Sequence, residues 1–227
     1  MFLIEPRSAE AAETMPADAG NSMLDELQTL AKMLQRAIPD PSNVSGYQSN
    51  MQNLLDLSAK REIDAGAVDL RYRPLFKQMI LAAAWQESCW RQFVRSKGRV
   101  RWLESSTGDL GLMQVNKHVW RGFYNLDKLR WDVLYNAGAG CEILTRLMNG
   151  VIERSSGKAR LSSSDLARST YAAYNGGPAA YNRWRRREPE PMRSIDASFY
   201  QKFQAVQRGQ SFDILTCATD WGRSAGH

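Results

Sequence analysis

Glu87 lies inside LAAAWQESCW (residues 81–90), a stretch whose alanines, tryptophans and cysteine are typical of a buried helix. On a helical wheel, Glu87 falls at the edge of the apolar stripe and not on the opposite, solvated face. Burial there disfavours the charged form of the carboxyl group and raises its pKa. A glutamate that holds its proton near neutral pH is what general acid catalysis requires, so Glu87 is the candidate catalytic acid.

The same helix allows an interpretation without catalysis. Arg91 follows Glu87 at i+4 in the predicted helix, and a surface Glu–Arg pair at that spacing would explain both residues. Taken alone, the helix favours this ion pair. The choice between an acid and an ion-pair member therefore depends on which other residues the chain brings near Glu87.

A loop with two glycines follows, SSTGDLGLMQ (residues 105–114). Gly108 and Gly111 permit backbone shapes closed to other residues and let a ligand or a helix approach closely. Met113 offers an adaptable apolar contact, and Gln114 offers an amide that both donates and accepts hydrogen bonds. This combination suits an N-acetyl sugar, although a plain turn followed by one core and one surface residue is the alternative.

A third motif, AYNGGP, occupies residues 173–178. Tyr174 supplies a hydroxyl within an otherwise apolar wall, and Asn175 supplies an amide before a Gly-Gly-Pro break. Asn and Gly are also favoured at helix C-termini, so this motif by itself is equally compatible with a helix cap.

Together, and in this order, the ES, GLMQ and AYN motifs resemble the soluble lytic transglycosylase family, whose lysozyme-like domain carries them. Further matches are Asn136, Gly140 and Leu144 in an N-x-x-x-G-x-x-x-L pattern, and Asp196 four residues before Tyr200. The resemblance covers roughly residues 72–207. It implies a mainly α fold, with a goose-type, lysozyme-like catalytic domain and an N-terminal helical extension outside the family pattern.

The resemblance also implies a substrate and a set of site residues. The substrate is the glycan strand of peptidoglycan, and neither a metal nor a cofactor is expected. Glu87 is the expected catalytic residue. The expected substrate-binding residues are Ser105, Met113, Gln114, Tyr174, Asn175 and Asp196, with the Tyr174 hydroxyl hydrogen-bonded near the catalytic acid.

The family mechanism needs only one carboxylate, because the N-acetyl group of the substrate and its own C6 hydroxyl do the rest and leave a 1,6-anhydromuramyl end. A hydrolytic, goose-type lysozyme activity on the same substrate is the nearest alternative. It would need a second carboxylate to position water, and Asp109 or Asp127 could serve. Asp109 also departs from the family pattern, in which Gly-Ala-x-Gly is common where this chain has GDLG.

The elements that must position these residues are mainly helices. Apolar residues at helical spacing predict helices over 22–38, 49–65, 73–93, 132–154, 163–174 and 195–207. Strand signals are scarce, although residues 99–103 could pair. These patterns divide the chain into a loose N-terminal segment (1–20), a helical extension (21–70), a lysozyme-like domain (71–210) and a C-terminal tail (211–227). The extension could shape the groove of the catalytic domain or dock onto a larger envelope assembly.

The net charge of +6 and the sequence pI near 9.3 favour an anionic partner. The basic run YNRWRRR (residues 181–187), with its interleaved aromatic rings, could follow phosphates in a non-catalytic envelope or nucleic-acid-binding protein. A solvated helix end explains the run as well, and a binding module has no need of Glu87. No nucleic-acid partner is therefore expected.

The three cysteines, Cys89, Cys141 and Cys217, fit no zinc pattern. Cys89 and Cys141 fall in apolar helical patterns and are predicted to be packed thiols, while one disulfide of undetermined pairing stays open. No segment is long and apolar enough to predict a membrane span. The first ten residues, MFLIEPRSAE, do not read as a signal peptide, so export to the periplasm or cell envelope would depend on a segment not shown or on another route.

Overall fold

A computed structural model describes residues 17–155, 161–186, 189–210 and 213–224. These residues form eight α-helices: α1 (Ala17–Leu34), α2 (Val44–Asp64), α3 (Arg73–Ser88), α4 (Leu126–Trp131), α5 (Val133–Ser155), α6 (Ser163–Gly176), α7 (Met192–Gln207) and α8 (Ile214–Ser224). They also form two 3₁₀ helices, Leu70–Tyr72 and Pro178–Arg185, and four short strands: β1 (Phe93–Ser96), β2 (Arg99–Trp102), β3 (Asp109–Leu110) and β4 (Val115–Asn116). The prediction of a mainly α fold is confirmed.

Several helix bounds differ from the predicted ones, including those near both ends of the chain. α1 begins at Ala17, so residues 17–20 are helical, and residues 1–16 lie outside the described part. Residues 214–224, within the predicted tail, form α8. The residues 99–103 do pair, since β2 forms an antiparallel hairpin with β1 across the two-residue turn Lys97-Gly98. Both turn residues have positive φ, as the tight turns of two-residue hairpins require.

The helix that carries Glu87 ends earlier than its apolar pattern predicts. α3 stops at Ser88 and not near Phe93, because Cys89 and Trp90 both adopt left-handed backbone conformations with φ of 53° and 55°. Buried partners hold this turn in place: the Trp90 indole N–H donates to the Leu81 carbonyl (2.9 Å), and the Tyr47 hydroxyl donates to the Trp90 carbonyl (2.8 Å). The helical i,i+4 geometry expected between Glu87 and Arg91 is therefore absent.

The N-terminal helices pack onto the rest of the chain. α2 lies against both α3 and α5, and α1 lies against α2 and α5. Leu54, Leu55 and Ala59 of α2 are fully buried in the same core cluster as Met79 of α3 and Leu144 of α5. Burial of these aliphatic side chains supplies the main force that holds the extension in place.

A disulfide joins Cys89, the residue directly after α3, to Cys217 in α8, with Cα atoms 5.8 Å apart. Cys141 is a buried free thiol. The packed-thiol prediction is therefore confirmed for Cys141 and wrong for Cys89. A helix that continued through residue 93 would place Cys89 on its inner face. In the structure, α3 ends before Cys89, and the turn there directs the sulfur of Cys89 toward α8.

Candidate active site

Glu87 lies in the last turn of α3, partly buried. Burial, and to a smaller extent the negative charge of Asp109, raise the pKa of its carboxyl group to about 7 against the lowering effects of the Tyr171 hydrogen bond and the charge of Lys202. A carboxyl group with this pKa is about half protonated at neutral pH, so it can donate a proton and later take one back. The structure thus gives Glu87 the property that its position in the sequence predicted.

Tyr171 is the direct hydrogen-bond partner of Glu87. Its hydroxyl donates to the Glu87 carboxylate (2.8 Å), and its fully buried ring stacks face to face on Phe199, with centroids 3.9 Å apart. Burial and the neighbouring Glu87 raise the pKa of Tyr171, which keeps it a donor. Sequence reasoning missed Tyr171, although it precedes Tyr174 by three residues in α6 and therefore shares its helix face.

Lys202 of α7 is the cation that acts on Glu87. Its ammonium donates to the side-chain oxygen of Gln86 (2.7 Å) and to the Ser198 hydroxyl (2.7 Å). Partial burial lowers the pKa of Lys202, while the carboxylate of Glu87 raises it. The sequence carries no short-range signal for this neighbour, since it lies on another helix, 115 positions after Glu87.

Ser88 connects the catalytic helix to the GLMQ loop. Its buried hydroxyl donates to the Leu112 carbonyl (2.6 Å). The same oxygen accepts the backbone N–H of Arg91 (3.1 Å), which holds the turn after α3. The adjacent residues of the ES motif thus have different positions: Glu87 lies in the site, and Ser88 lies beneath it.

Two buried amides hold the GLMQ backbone in place. The Gln92 side-chain oxygen accepts the Leu112 N–H (2.8 Å), and the Asn136 side-chain oxygen accepts the Met113 N–H (2.8 Å). Gly111 has φ of 70°, and a Cβ there would overlap both amides. The glycine in GLMQ is therefore required by backbone conformation and by space.

Gln114 and Met113 take different places in the site. Gln114 is held with φ of 48° and donates its side-chain N–H to the Gly111 carbonyl (2.7 Å). The Met113 side chain is fully buried and packs against Gly140, where a Cβ would overlap it. Met113 therefore supports the loop from below, and the direct sugar contact predicted for its side chain is not available in this structure.

The tyrosine and the asparagine of the AYN motif also occupy different positions in the site. The Tyr174 hydroxyl donates to the Met113 carbonyl (2.5 Å) and fastens α6 to the GLMQ loop. Burial raises the pKa of Tyr174, and the charge of Glu87 raises it further. Asn175 is exposed, and its side-chain oxygen accepts a hydrogen bond from Arg183 (3.1 Å).

Ser105 belongs to a hydrogen-bond network around Asp109. Its hydroxyl donates to the Asp109 carboxylate (2.5 Å), and the Asn116 amide donates to the other carboxylate oxygen (2.7 Å). Thr107 adds a third side-chain donor to this carboxylate. Asp109 is thus fixed as a partly buried charge that acts on Glu87.

Comparison of the sequence with models of protein families identifies the family to which the chain belongs. The model of the transglycosylase SLT domain matches residues 72–196, more than half of the chain and the part that carries Glu87, GLMQ and AYN. The chain belongs to the SLT transglycosylase family. Searches of curated proteins and of solved structures gave no match.

Membership of the SLT family fixes the general chemistry. The protein is a transglycosylase that acts on peptidoglycan, and the expected lysozyme-like fold with an N-terminal helical extension is confirmed. Peptidoglycan is a polymer of the cell envelope, so the SLT domain acts there. None of the described helices is long and apolar enough to cross a membrane.

Asp196 closes the SLT match, but the structure does not bring it to the sugar site. It is buried and forms a two-pronged ion pair with Arg183, at 2.9 Å and 2.6 Å. Arg183 is itself buried and lies so close to Gly176 that a Cβ there would overlap its guanidinium. The carboxylate of Asp196 thus docks α7 against the AYN segment. The substrate contact expected for Asp196 stays a prediction.

The remaining charged candidates around the SLT domain are also accounted for. Asp127 has 86% of its side chain exposed and pairs with Arg130, so it is not a partly buried acid like Asp109. In the described part of the basic run, residues 181–186, Arg183 is buried and Arg185 pairs with Asp165. These contacts do not leave a continuous row of arginines for phosphates.

Proposed function

We propose that the protein is a lytic transglycosylase that cleaves the β-1,4 bond between N-acetylmuramic acid and N-acetylglucosamine and leaves 1,6-anhydromuramyl ends. The observation that carries the proposal is Glu87 itself. It is a partly buried carboxyl group with a pKa of about 7, fixed by Tyr171 at the end of α3. One such group can serve as acid and then as base within a single turnover.

In the first step, protonated Glu87 donates its proton to the glycosidic oxygen. The C1–O4 bond breaks, the N-acetylglucosamine end leaves with a hydroxyl, and positive charge develops at C1 of the muramyl residue. The N-acetyl group of the substrate stabilises that charge, as in glycosidases that use substrate assistance. Glu87 is left as a carboxylate, which the Tyr171 hydroxyl and the charge of Lys202 both stabilise.

In the second step, the Glu87 carboxylate takes the proton of the muramyl C6 hydroxyl as its oxygen attacks C1. The O6–C1 bond forms and closes the 1,6-anhydro ring. Glu87 regains its proton, and no water is consumed. This outcome requires that water be kept from C1, and the buried Leu112 and Met113 side chains of the GLMQ loop and the Tyr174 ring provide apolar surface for this.

Polar side chains of the GLMQ loop and of α6 would make the direct contacts with the sugar. Gln114, Tyr174 and Asn175 are assigned to substrate binding, and Ser105 to the support of Asp109. Met113 and Asp196 are assigned to positioning, since the Met113 side chain packs on Gly140 beneath the loop and the Asp196 carboxylate pairs with Arg183. Residues 71–210 make up the catalytic domain in this proposal, and the protein acts in the periplasm or cell envelope.

A hydrolytic activity is the second candidate, and Asp109 is the observation that favours it. Its charge reaches Glu87, as a carboxylate that positions water would. Both of its oxygens, however, already accept hydrogen bonds from the protein. Their engagement favours an electrostatic role for Asp109 over activation of water.

Product analysis on purified peptidoglycan tests the proposal. Mass spectrometry should find anhydromuramyl ends, whereas hydrolysis would give reducing ends heavier by one water. Glu87→Gln should abolish cleavage. Glu153→Gln, a change of the same type at an exposed position of α5, should cleave like the unmodified protein. Reducing ends as the main product, or near-normal cleavage by Glu87→Gln, would contradict the assignment.

A further inference from the structure

A groove runs along α5 on the side where the N-terminal helices pack. It consists of a cavity of about 430 Å³ and a neighbouring cavity of about 370 Å³ that share Glu62 and Glu142 in their walls. Each cavity is within the size range of small-molecule sites, roughly 300–1,000 Å³. We call this feature the extension groove, because Leu27, Ser58, Arg61 and Glu62 of α1 and α2 form one of its walls.

The extension groove is distinct from the site around Glu87. None of Tyr171, Gln114, Asp109 or Lys202 lines it. The wall from α1 and α2 also lies before residue 72, where the SLT match begins. The groove is therefore a feature of this chain's extension together with its catalytic domain.

Charges of both signs line the extension groove. Arg61 and Arg146 face it together with Glu62, Asp132 and Glu142. Arg146 pairs with Glu142, so part of this charge is already neutralised within the protein. Three carboxylates disfavour an anionic ligand and two guanidinium groups disfavour a cationic one. The lining suits a neutral ligand with many hydrogen-bonding groups.

Aromatic rings form the other wall. Phe123 is 51% exposed although it is apolar, and Tyr124 and Tyr135 line the groove beside it. The Tyr124 hydroxyl donates to Glu142 (3.1 Å), so its ring is held in place. Rigid aromatic faces beside carboxylates and amides match a pyranose ring, which presents apolar C–H faces and polar edges.

An unpartnered hydroxyl points to a ligand independently of the charges. Thr145 lines the second cavity, its side chain is 4% exposed, and its hydroxyl has no hydrogen-bond partner within the described residues. A buried hydroxyl without a partner costs roughly 1–3 kcal/mol, and a sugar hydroxyl or acetamido group would satisfy it. Asn149, one turn further along α5, adds an amide to the same wall, and this amide already donates a hydrogen bond to the Ala67 carbonyl (3.0 Å).

We propose that the extension groove is a second glycan-binding site, which holds a neutral oligosaccharide of N-acetylated sugars apart from the bond that Glu87 cleaves. The choice of N-acetylated sugars rests on the proposed function, because peptidoglycan strands contain them. A strand held at both sites would stay bound between successive cleavages. The N-terminal helices would then serve retention of the substrate rather than its cleavage.

Binding of tri-N-acetylchitotriose, a neutral β-1,4-linked trimer, tests the proposal in the full chain carrying Glu87→Gln. Amide shifts in the NMR spectrum should change in two separate sets, one around residues 87 and 114 and one around residues 58–62 and 135–149. Phe123→Ala and, separately, Thr145→Val should each weaken the second set about tenfold and leave the first unchanged. Thr145→Val should also be at least as stable to heat as its parent, because it removes an unsatisfied hydroxyl.

Val119→Ala is the matched control, since Val119 is a 68% exposed apolar residue of the same loop that does not line the groove. Shifts confined to the first set, or an equal loss in the control, would overturn the proposal. The two proposals fail separately. Binding in the groove without cleavage of peptidoglycan by the unmodified protein would refute only the proposed function. Normal cleavage without binding in the groove would refute only this inference.

Discussion

Glu87→Gln should make the fold more stable at neutral pH while it abolishes activity. The folded chain raises the pKa of Glu87 from 4.5 to about 7, chiefly because the carboxyl group is partly buried. Between these pH values the folded state keeps a proton that the unfolded state has lost. The free energy of unfolding therefore falls as the pH rises through this window and stays level above it.

The magnitude follows from the size of the pKa change. One pKa unit corresponds to about 1.4 kcal/mol, so a rise from 4.5 to about 7 means that full ionisation of Glu87 destabilises the fold by at most about 3.5 kcal/mol. Solvent around the partly exposed carboxylate reduces this to between about 1 and 3 kcal/mol. Glutamine keeps the shape and an acceptor for the Tyr171 hydroxyl but carries no charge, so it escapes the penalty.

Denaturant unfolding of both proteins at pH 4.5, 6 and 8 measures the effect. The stability gained by Glu87→Gln should be near its minimum at pH 4.5, should grow through pH 6, and should reach about 1–3 kcal/mol at pH 8. Glu153→Gln on the exposed face of α5 should show no such trend. A gain that does not change with pH would refute the raised pKa. A loss at pH 8 would restore the ion-pair interpretation of Glu87.

Four further substitutions test the surroundings of the acid and the fold that holds it. Asp109→Asn should move the basic limb of the pH–rate profile to lower pH, and Lys202→Met should move it to higher pH. The reason is that the two charges act in opposite directions on the pKa of Glu87. Shifts of both variants in the same direction would contradict this. Gly140→Ala should lower activity at least tenfold in peptidoglycan turnover, because the new methyl group overlaps Met113 beneath the GLMQ loop; unchanged activity would show that the loop adapts. Cys217→Ser should lower the free energy of unfolding by about 2–4 kcal/mol in denaturant titrations, an effect that a reducing agent should reproduce in the parent and not in the variant.

The sequence was sufficient for features that depend on near neighbours. Apolar residues at helical spacing predicted most helices, since each helix buries one face. The same period failed after α3, where the apolar residues Cys89, Trp90 and Phe93 continue the pattern although the helix has ended at Ser88. They are buried by a turn and a strand instead, and the contacts that fix the turn come from Tyr47 and Cys217, far away in the chain.

Motif residues were harder to assign than the motifs themselves. Asp196 matches an acidic position of the family, yet its charge is buried against Arg183. An isolated buried carboxylate is strongly destabilising, so its partner determines its role. Thirteen residues separate the two, with no periodicity to indicate the contact. Sequence spacing could identify a conspicuous acid, but not whether it faces a ligand or an arginine.

The protonation of Glu87 depends on elements that meet only in the folded chain. Asp109 on β3 raises its pKa, while Tyr171 on α6 and Lys202 on α7 lower it. Asp109 stands where the family commonly has alanine, and taken alone it would hold the carboxyl group of Glu87 protonated to higher pH and make it a weaker acid. Lys202 lies beyond the matched SLT region and acts in the opposite direction. Because these effects oppose one another, burial remains the main cause of a pKa near 7, the value at which one carboxyl group can both give and take a proton in neutral solution.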